Sequence, residues 1–403
     1  MSDGSGNLSD RNSTRAAVRE PIEILCLDTA RRIGGGQVSI ERLLRNLDPA
    51  RFRVTLACPR HSALGDRFAL RGATRLEWLP TSRAVRVARF DPLASGISRR
   101  ILLPFAAGAA IARLALWLRR RPRAVIHANT FQAATIGAIL SIVTGRLLIF
   151  HDRILRSHGL IESWVRSRAS VILAITEVVA AKWRDRAASR TRLLIDGTEL
   201  DPDRAHEPGA LRSRLGIDPS ANVVLVVARI SPEKRIMDVI EALGRLRRDT
   251  VLLIAGEPYL PEDVSYARKL AALAGERGVR CEFLGFVEHL QPVYYASDVF
   301  VLPTLAEAFG QVVIEAMVTG RAIVAARNGG PLEILDDGRT GLFFTPGDAG
   351  DLAEKLDRLL ADPALRLRLG SAARLDAEER FGIAKTVARF TEIVEELVEP
   401  RPR

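Results

Sequence analysis

The chain of 403 residues is too long for one compact core, and its length fits two domains of ordinary size. Its composition, with 47% hydrophobic and 27% charged residues, is that of a soluble globular protein. The formal net charge is +11, but no aromatic interleaving or recognised nucleic-acid motif accompanies the basic residues, so a non-enzymatic polyanion binder is only a remote alternative.

The three cysteines, Cys26, Cys58 and Cys281, all fall in apolar, strand-like runs. This sparse and odd-numbered set predicts reduced thiols in a cytoplasmic protein and argues against a disulfide framework or a metal site. Residues 1–20 are polar and contain no apolar core, so we expect a disordered leader there and no signal peptide.

The first half of the chain alternates apolar strand-like runs with amphipathic helical stretches. Such βαβα alternation predicts a doubly wound parallel sheet with helices on both faces, and we assign residues 21–200 to this first domain. The predicted strands are Ile22–Leu27, Val54–Cys58, Arg75–Leu79, Ala124–Ala128, Leu147–His151, Val171–Ile175 and Leu193–Ile195.

The stretch Ile101–Leu118 is the only membrane-span candidate. It contains Arg113, and a central arginine costs about 2.5–3.5 kcal/mol on insertion, so a buried or interfacial helix is the better interpretation. Eleven arginines stand against two acids within residues 75–123. The segment Arg83–Arg123 therefore suits contact with an anionic membrane face, with a solvated helix as the alternative.

Three consecutive glycines, Gly34, Gly35 and Gly36, follow the first predicted strand and precede a helix. Glycines in that place let the backbone approach a ligand and turn its amides toward phosphate or sugar oxygens. The stretch is no dinucleotide fingerprint, because Ser39 stands where the last glycine belongs and the next strand ends without an acid. A plain tight turn is the alternative.

Two histidines, His127 and His151, lie at the ends of predicted strands. The carboxyl ends of parallel strands face the cleft, so both side chains are candidates for ligand contact. A structural role is the alternative, and His151 is the stronger candidate because Asp152 and Arg153 follow it. The other four histidines have no ligand spacing, so no metal site is predicted.

A second series of strands begins after a polar stretch, residues 201–220, that we assign to a linker. The second domain is assigned to residues 221–382, and a last helix within residues 383–403 is expected to cross back to the first domain. The acidic pair in Asp201-Pro202-Asp203 is interpreted as turn chemistry. The second series of strands comprises Val223–Ala228, Val251–Ala255, Glu282–Leu284, Val299–Leu302, Ala322–Ala326 and Gly341–Phe344.

Two cations follow the first strand of the second domain. Arg229 leaves the carboxyl end of that strand, Ser231 is predicted to cap a helix, and Lys234 falls in the first helical turn. A lysine there opposes the helix dipole, which makes sense if an anion binds beside it. The alternative is that Glu233 and Asp238 neutralise both cations at the surface.

The most informative stretch is Thr304–Pro331, which follows a buried strand. Glu307 is predicted in a loop, Gly310 at the start of a helix, and Glu315 one to two turns into it. A helix N-terminus between two carboxylates suits a ligand with hydroxyls at both ends and phosphate in the middle, such as a nucleotide-sugar. An ordinary strand–loop–helix with two solvated glutamates is the alternative.

Together these motifs resemble the retaining glycosyltransferases of the GT-B type, in which two Rossmann-like doubly wound domains face each other across a cleft, and glycosyltransferase family 4 in particular. The resemblance covers about residues 22–381. It rests on the glycine loop, the two strand-end histidines and the runs VARISPEKR, LLIAGE, FLGFV, EAFGQVVIEAMVTGRAIVA and GGPLEI.

The resemblance implies a role for each of these residues. Arg229 and Lys234 would hold the donor diphosphate, Glu307 would bond sugar hydroxyls, and Glu315 would bind the ribose. His151 matches the family's sugar-contacting histidine and joins Glu307, Arg229 and Lys234 as an expected catalytic residue. The other expected contacts are Gly34, Gly35 and Gly36 at the diphosphate, Gly285, Phe286 and Val287 at the base, the amides of Phe309, Gly310 and Gln311, and His127 at the acceptor or sugar.

The resemblance also implies a reaction. We expect a metal-independent, cofactor-free transfer from a UDP- or GDP-sugar to an acceptor hydroxyl, with a lipid-linked saccharide of cell-surface polysaccharide assembly as the acceptor. The expected place is the cytoplasm and the inner membrane face. A nucleotide-sugar epimerase or a small-molecule glycosyltransferase of the same fold is the alternative. The chain departs from the family at Asp196-Gly197-Thr198 and in the arginine-rich stretch Arg83–Arg100. Neither departure touches the donor motifs, so both bear on the identity of the substrate more than on the activity.

Overall fold

The computed structural model describes residues 20–59, 62–69, 74–79, 97–156, 159–199, 208–246 and 248–399. It contains a seven-stranded sheet in the order β3-β2-β1-β4-β5-β6-β7 and a six-stranded sheet in the order β10-β9-β8-β11-β12-β13. The first seven strands, β1 to β7, are Ile22–Leu27, Phe52–Pro59, Thr74–Leu79, Val125–Ala128, Leu148–Asp152, Val171–Ala174 and Thr191–Leu193. The next six, β8 to β13, are Asn222–Val227, Thr250–Ala255, Arg280–Gly285, Val299–Leu302, Ala322–Ala326 and Leu342–Phe344.

Every strand pair within the two sheets is parallel, which confirms the predicted doubly wound architecture. In each sheet the strand order reverses beside the first strand, at β1/β4 and at β8/β11. Open parallel sheets bind ligands outside the carboxyl ends of the strands at such switch points. The two switch points therefore mark where a site is to be sought.

Helices cover both faces of each sheet. In β1, for example, Ile24 and Cys26 pack into one hydrophobic core and Leu25 and Leu27 into the core on the opposite face. Strands buried on both faces are continuous apolar runs, which is why the sequence located them well. The longer helices are Gly35–Arg45, Ile97–Arg119, Phe131–Thr144, Gly159–Arg168, Ile236–Leu243, Pro261–Arg277, Gln311–Val318, Ala349–Ala361, Pro363–Arg380 and Ile383–Val398.

The helix Ile383–Val398 packs against the first domain, where Phe390 and Val394 are fully buried in a core shared with β1 and β2. The chain crosses at Thr198, whose amide donates to Phe381 and whose carbonyl accepts from Ile383. A Cβ on Gly197 would lie 2.8 Å from the Cα of Ile383, so the crossing requires glycine there. The departure from the family at Asp196-Gly197-Thr198 thus lies at the crossing.

The described part of the predicted linker packs against the second domain. Residues 208–219 contain a short helix, Pro208–Arg214, and Leu211 and Leu215 pack against the core of the second domain. Arg212 of this helix donates to Asp298 at 2.8 Å. This half of the segment is attached to the second domain, whereas Asp201-Pro202-Asp203 lies outside the described residues.

The basic segment is described only from residue 97 onward, so residues 83–96 and the leader 1–19 lie outside the described part of the chain. Two of its arginines form internal contacts: Arg121 donates to Glu23 at 3.2 Å and lies over the ring of Trp117, and Arg123 donates to Glu399 at 2.6 Å. Among the described helices, none has the length and apolar character needed to cross a membrane.

Candidate active site at the domain cleft

A cavity of about 930 Å³ lies between the two domains, at the carboxyl ends of the strands. Such a volume is ample for a ligand the size of a nucleotide-sugar. Residues of both domains line it, including most of those singled out from the sequence. These are Gly34, Gly35, Arg229, Lys234, Phe286, Val287, Glu307, Gly310, Gln311 and Glu315.

The loop that carries Glu307 is held by backbone contacts from the next strand connection. The amide of Gly330 donates to the carbonyl of Glu307 at 2.8 Å. A Cβ on Gly329 would lie 2.1 Å from that same carbonyl oxygen, and one on Gly330 would lie 2.5 Å from Phe309. The glycines of the GGPLEI run thus fix the position of the Glu307 loop by close packing.

Gly310 immediately precedes the helix Gln311–Val318, as predicted, and its φ of 112° is a conformation that side chains disfavour. The amide of Val313 donates back to the carbonyl of Gly310 at 2.8 Å. The amides of Gln311 and Val312 come too early in the helix for a partner one turn back and can therefore meet a ligand. Glu315 lies one turn further along and lines the same cavity. Loop carboxylate, helix N-terminus and helix carboxylate therefore lie along one wall.

Lys234 and Glu307 form an ion pair, with Nζ 3.0 Å from Oε2. Arg229 pairs instead with Glu233, and Asp238 pairs with Arg235. The surface-neutralisation alternative thus holds for Arg229, whereas Lys234 is directed at Glu307. With side chains 24% and 20% exposed, Lys234 and Glu307 remain open to a ligand.

The local structure around Lys234 differs from the prediction. Residues Pro232–Lys234 form a single 3-10 turn, and the α-helix begins only at Ile236 after Arg235, whose φ is 52°. The Ser231 hydroxyl makes no cap and is buried without a hydrogen-bond partner among the described residues. The Ser-Pro pattern is compatible with either kind of turn, and the left-handed Arg235 is what separates the 3-10 turn from the helix.

Glu315 is engaged from the first domain. Arg42 Nη2 donates to its Oε1 at 3.0 Å, and the buried hydroxyl of Tyr294 lies 3.4 Å from its Oε2. Ser39 lies one turn before Arg42 on the helix Gly35–Arg45, and its hydroxyl donates to the side-chain oxygen of Gln311 at 3.3 Å. The helix Gly35–Arg45 of the first domain therefore faces the helix Gln311–Val318 of the second domain directly. Sequence reasoning missed Ser39 and Arg42, although their spacing of three residues places both on one helix face.

A second contact between the domains lies beside the Glu307 loop. Thr176 Oγ1 donates to the carbonyl of Ala308 at 3.0 Å. The carboxylate of Glu333 accepts from the backbone amides of Glu177 and Val178, each at 2.8 Å. Neither Thr176 nor Glu333 had a role in the sequence analysis, because only the fold brings them together.

The histidines His127 and His151 lie side by side, with Nε2 of His127 3.3 Å from Nδ1 of His151. Both are buried, at 0% and 1% exposure, and neither lines the cavity. Burial is the main cause that lowers the pKa of both, in His127 to about 3, and the nearby Arg153 lowers it further. Their contacts with sugar or acceptor stay predictions.

A buried polar network connects these histidines to the glycine loop. Arg153 donates to the Asn129 side chain at 2.9 Å and pairs with Asp196. Asn129 in turn donates to Asp28 at 2.7 Å and to the Gly36 carbonyl at 3.3 Å. Burial raises the pKa of Asp28. Gly36 does not line the cavity. A Cβ added to Gly36 would lie 3.2 Å from the side chain of Arg153, so this glycine packs against the network.

Acid is expected to destabilise the chain through the histidine pair. A histidine buried in its neutral form resists protonation, so the unfolded chain binds more protons once the pH falls below 6.5. Stability from His127 is complete above that pH and is lost as the pH falls toward about 3. Between the pKa of the unfolded chain and that of the folded chain, each such histidine lowers the free energy of unfolding by about 1.4 kcal/mol for every pH unit of acidification.

The measurement is the free energy of unfolding in urea at several pH values between about 7 and 4. His127→Gln keeps an amide nitrogen near the position of Nε2 and removes one titrating group. It is expected to give a shallower loss of stability with acid than the unchanged chain. Equal slopes for the two proteins would contradict this origin of the pH dependence.

The sequence and the fold match known proteins. The family model described as glycosyl transferases group 1 matches residues 209–376. Among solved structures, HepE of Anabaena in complex with UDP-glucose has a TM-score of 0.80 at 22% identity, over 93% of this chain and 99% of that one. Sucrose-phosphate synthase from Thermosynechococcus elongatus has a TM-score of 0.74 at 20% identity, over 93% and 98%. These likenesses concern the fold, and they confirm the predicted GT-B architecture.

Curated relatives include a lipopolysaccharide 1,2-N-acetylglucosaminetransferase of Salmonella typhimurium, 26% identical over 59% of this chain. A D-inositol 3-phosphate glycosyltransferase of Streptomyces bingchenggensis is 34% identical over 46% of this chain. The matches span only 65% and 43% of those two relatives. An alpha-maltose-1-phosphate synthase of Mycolicibacterium smegmatis is 30% identical over 67% of this chain and 78% of its own length. On the strength of that match and the family model, the chain belongs to the glycosyl transferases group 1 family.

Proposed function

We propose that the chain is a retaining glycosyltransferase that transfers a hexosyl group from a UDP- or GDP-sugar to an acceptor hydroxyl. The observation that carries this proposal is the single cavity in which Arg229, Lys234, Glu307 and Glu315 converge at a helix N-terminus. HepE of Anabaena, which shares the fold, binds UDP-glucose. Membership of the glycosyl transferases group 1 family supports the same reaction class.

The proposed chemistry rests on charge stabilisation at the donor diphosphate. The bond between the anomeric carbon and the phosphate oxygen breaks while the acceptor oxygen bonds to the same face of that carbon. The acceptor proton passes to the leaving phosphate oxygen. Arg229, Lys234 and the amides that follow Gly310 oppose the negative charge that grows there, and such preorganised groups are the largest catalytic factor in many enzymes. In this proposal side chains and backbone amides together stabilise the leaving group, and no metal ion takes part.

The ion pairs that line the cleft would rearrange when the donor binds. Lys234 would turn from Glu307 toward a phosphate, which leaves the Glu307 carboxylate to accept hydrogen bonds from sugar hydroxyls. Glu315 would exchange Arg42 for the ribose hydroxyls. In both cases one charge-assisted hydrogen bond replaces another, so these exchanges are nearly balanced in free energy.

The proposed acceptor is a lipid-linked saccharide in cell-surface polysaccharide assembly, reached from the cytoplasmic side of the membrane. The Salmonella relative, named as a lipopolysaccharide glycosyltransferase, supports this acceptor class. The arginines of residues 83–123 suit a peripheral contact with anionic lipid. Relatives named for inositol 3-phosphate and maltose-1-phosphate keep a small-molecule acceptor as the alternative.

The test is a thermal-shift panel with UDP, GDP, ADP, dTDP and their common sugar conjugates. A single site filled at a hundred times its dissociation constant stabilises the fold by about 2.7 kcal/mol, which is readily detected. We expect the nucleotides of one base to stabilise the fold, and we expect Arg229→Ala to remove this stabilisation. Conversion of the donor without an acceptor would indicate an epimerase. Stabilisation by polyanions alone, with strong salt dependence, would contradict the proposal.

A further inference from the structure

Tyr259 is a cavity residue that connects the two domains at the predicted phosphate site. The guanidinium carbon of Arg229 lies over its ring, 5.6 Å from the centroid, and that of Arg32 lies over it at 4.7 Å. Its hydroxyl donates to the carbonyl of Ile33, at 3.1 Å. Arg32 and Ile33 belong to the first domain and directly precede Gly34, so one side chain contacts both walls of the cleft.

The ring is fixed by the backbone that carries it. Asp263, which is 2% exposed, accepts from the amides of Tyr259 and Leu260 at 3.2 and 3.1 Å, where the helix Pro261–Arg277 begins. At the other end of the loop, a Cβ on Gly256 would lie 1.9 Å from the carbonyl oxygen of Ala228. The loop therefore lies against the segment that carries Arg229. A ring anchored in this way has little freedom to follow its neighbours and instead determines where they lie.

Stacking is a contact that leaves Arg229 able to bind an anion. A guanidinium group contacts an aromatic ring through its flat face, while its N–H groups point outward along the edges. Glu233, the other partner of Arg229, occupies those edges and would compete with a phosphate. Tyr259 does not compete, so it can hold Arg229 in place both before and after a diphosphate arrives.

The hydroxyl of Tyr259 has a separate effect, on the glycine loop. Burial is the main cause that raises the pKa of this hydroxyl, so it keeps its proton and donates to Ile33 at neutral pH. Ile33 directly precedes Gly34, the first residue of the glycine loop. The backbone amides of that loop are predicted to approach the diphosphate. The hydrogen bond thus sets the distance between the glycine loop and the second domain.

We propose that Tyr259 is a positioning residue that holds the Arg229 guanidinium and the Gly34–Gly36 loop against one another, so that both meet the diphosphate of the nucleotide-sugar. The ring orients Arg229, and the hydroxyl draws the glycine loop toward the second domain. This inference rests on the proposed function, because it names what orients two parts of that site. Tyr259 need not touch the substrate to act in this way.

The experiment compares Tyr259→Phe with Tyr259→Leu in the full chain. Phenylalanine keeps the ring and removes the hydrogen bond to Ile33, so KM for the nucleotide-sugar is expected to rise about three- to tenfold, the size of one neutral hydrogen bond, with kcat within twofold. Leucine also removes the stacking face. Because Arg229 is proposed to act on the leaving diphosphate, kcat is then expected to fall about tenfold further.

A second readout uses UDP and GDP, each against its monophosphate, in binding titrations with the same variants. Loss of affinity is expected for the diphosphate and little for the monophosphate, because the contacts lie at the phosphate end. Tyr295→Leu is the matched control, since Arg321 stacks on Tyr295 at the same 5.6 Å but that ring does not line the cavity.

Three outcomes decide the matter. A split between KM and kcat in the two variants, with the control unchanged, supports the inference. Variants that keep the kinetics and diphosphate affinity of the unchanged chain overturn it while the proposed function stands. If the protein without any substitution binds neither UDP nor GDP, the proposed donor class and this inference are both overturned.

Discussion

Replacing Arg229 or Lys234 with alanine is expected to lower turnover at least a hundredfold under saturating donor. Both side chains line the cleft cavity beside Glu307 and are proposed to stabilise the charge that grows on the leaving diphosphate. Removal of one such preorganised group typically costs a factor of about 10²–10³ in kcat. The measurement is steady-state transfer with the nucleotide-sugar identified by the thermal-shift panel.

Lys234→Ala is expected to be the more damaging change of the two. Lys234 pairs with the Glu307 carboxylate at 3.0 Å, so its removal also leaves that carboxylate without its cation beside an anionic donor. Arg229→Ala leaves Glu233 behind, but the side chain of Glu233 is 55% exposed and its charge is well screened by solvent. Both kcat and donor affinity should therefore fall further in Lys234→Ala.

Matched controls are present in the same domain. Arg248, whose side chain is 35% exposed and paired with Asp357, resembles Arg229 at 33%. Lys355, at 25% exposure and paired with Asp351, resembles Lys234 at 24%. Neither control lines the cavity, so alanine at either position should change turnover by less than twofold. Unchanged turnover in Arg229→Ala and Lys234→Ala, at near-native stability, would refute the assignment of both cations.

The strands and the order of the two domains were predictable because burial on both faces produces runs such as Ile22–Leu27 and Ala322–Ala326, which the structure reproduces to the residue. The stretch around Glu307 was predictable for a different reason. Gly310 needs a positive φ, and a glycine at the start of an apolar helical period identifies the helix N-terminus. Local patterns of this kind are determined by neighbours in sequence.

Contacts between distant residues were not predictable in the same way. Arg42 meets Glu315 across 273 residues of sequence, and Tyr259 meets Ile33 across 226. Helical periodicity gives the face on which Arg42 lies but says nothing of which surface that face meets. The burial of His127 and His151 behind the glycine loop depends likewise on packing, since a strand-end histidine can point into the cleft or into the core. The packing of the two domains against one another decides the contacts of Arg42 and Tyr259, whereas packing within the first domain decides the burial of the two histidines.

Gly329→Ala is expected to reduce transfer about a hundredfold and to weaken donor binding, although Gly329 makes no proposed contact with the substrate. The added Cβ would lie 2.1 Å from the carbonyl oxygen of Glu307, and backbone atoms cannot yield as a flexible side chain does. The Glu307 loop must therefore move, and a displacement of about 1 Å at a reacting centre can cost two orders of magnitude in rate. The measurements are kcat, KM for the nucleotide-sugar and the thermal unfolding temperature.

The control must separate this displacement from the cost of the backbone conformation itself. Gly329 has a φ of 56°, where any residue with a Cβ loses roughly 1–2 kcal/mol. Gly338 has a φ of 76°, and no atom of the described part of the chain lies within 4 Å of an added Cβ, so Gly338→Ala carries the conformational cost without the clash. Both variants should lose thermal stability, and only Gly329→Ala should lose activity. Equal activity in the two would mean that the Glu307 loop tolerates displacement, and the close packing of the GGPLEI run would then serve folding rather than the reaction.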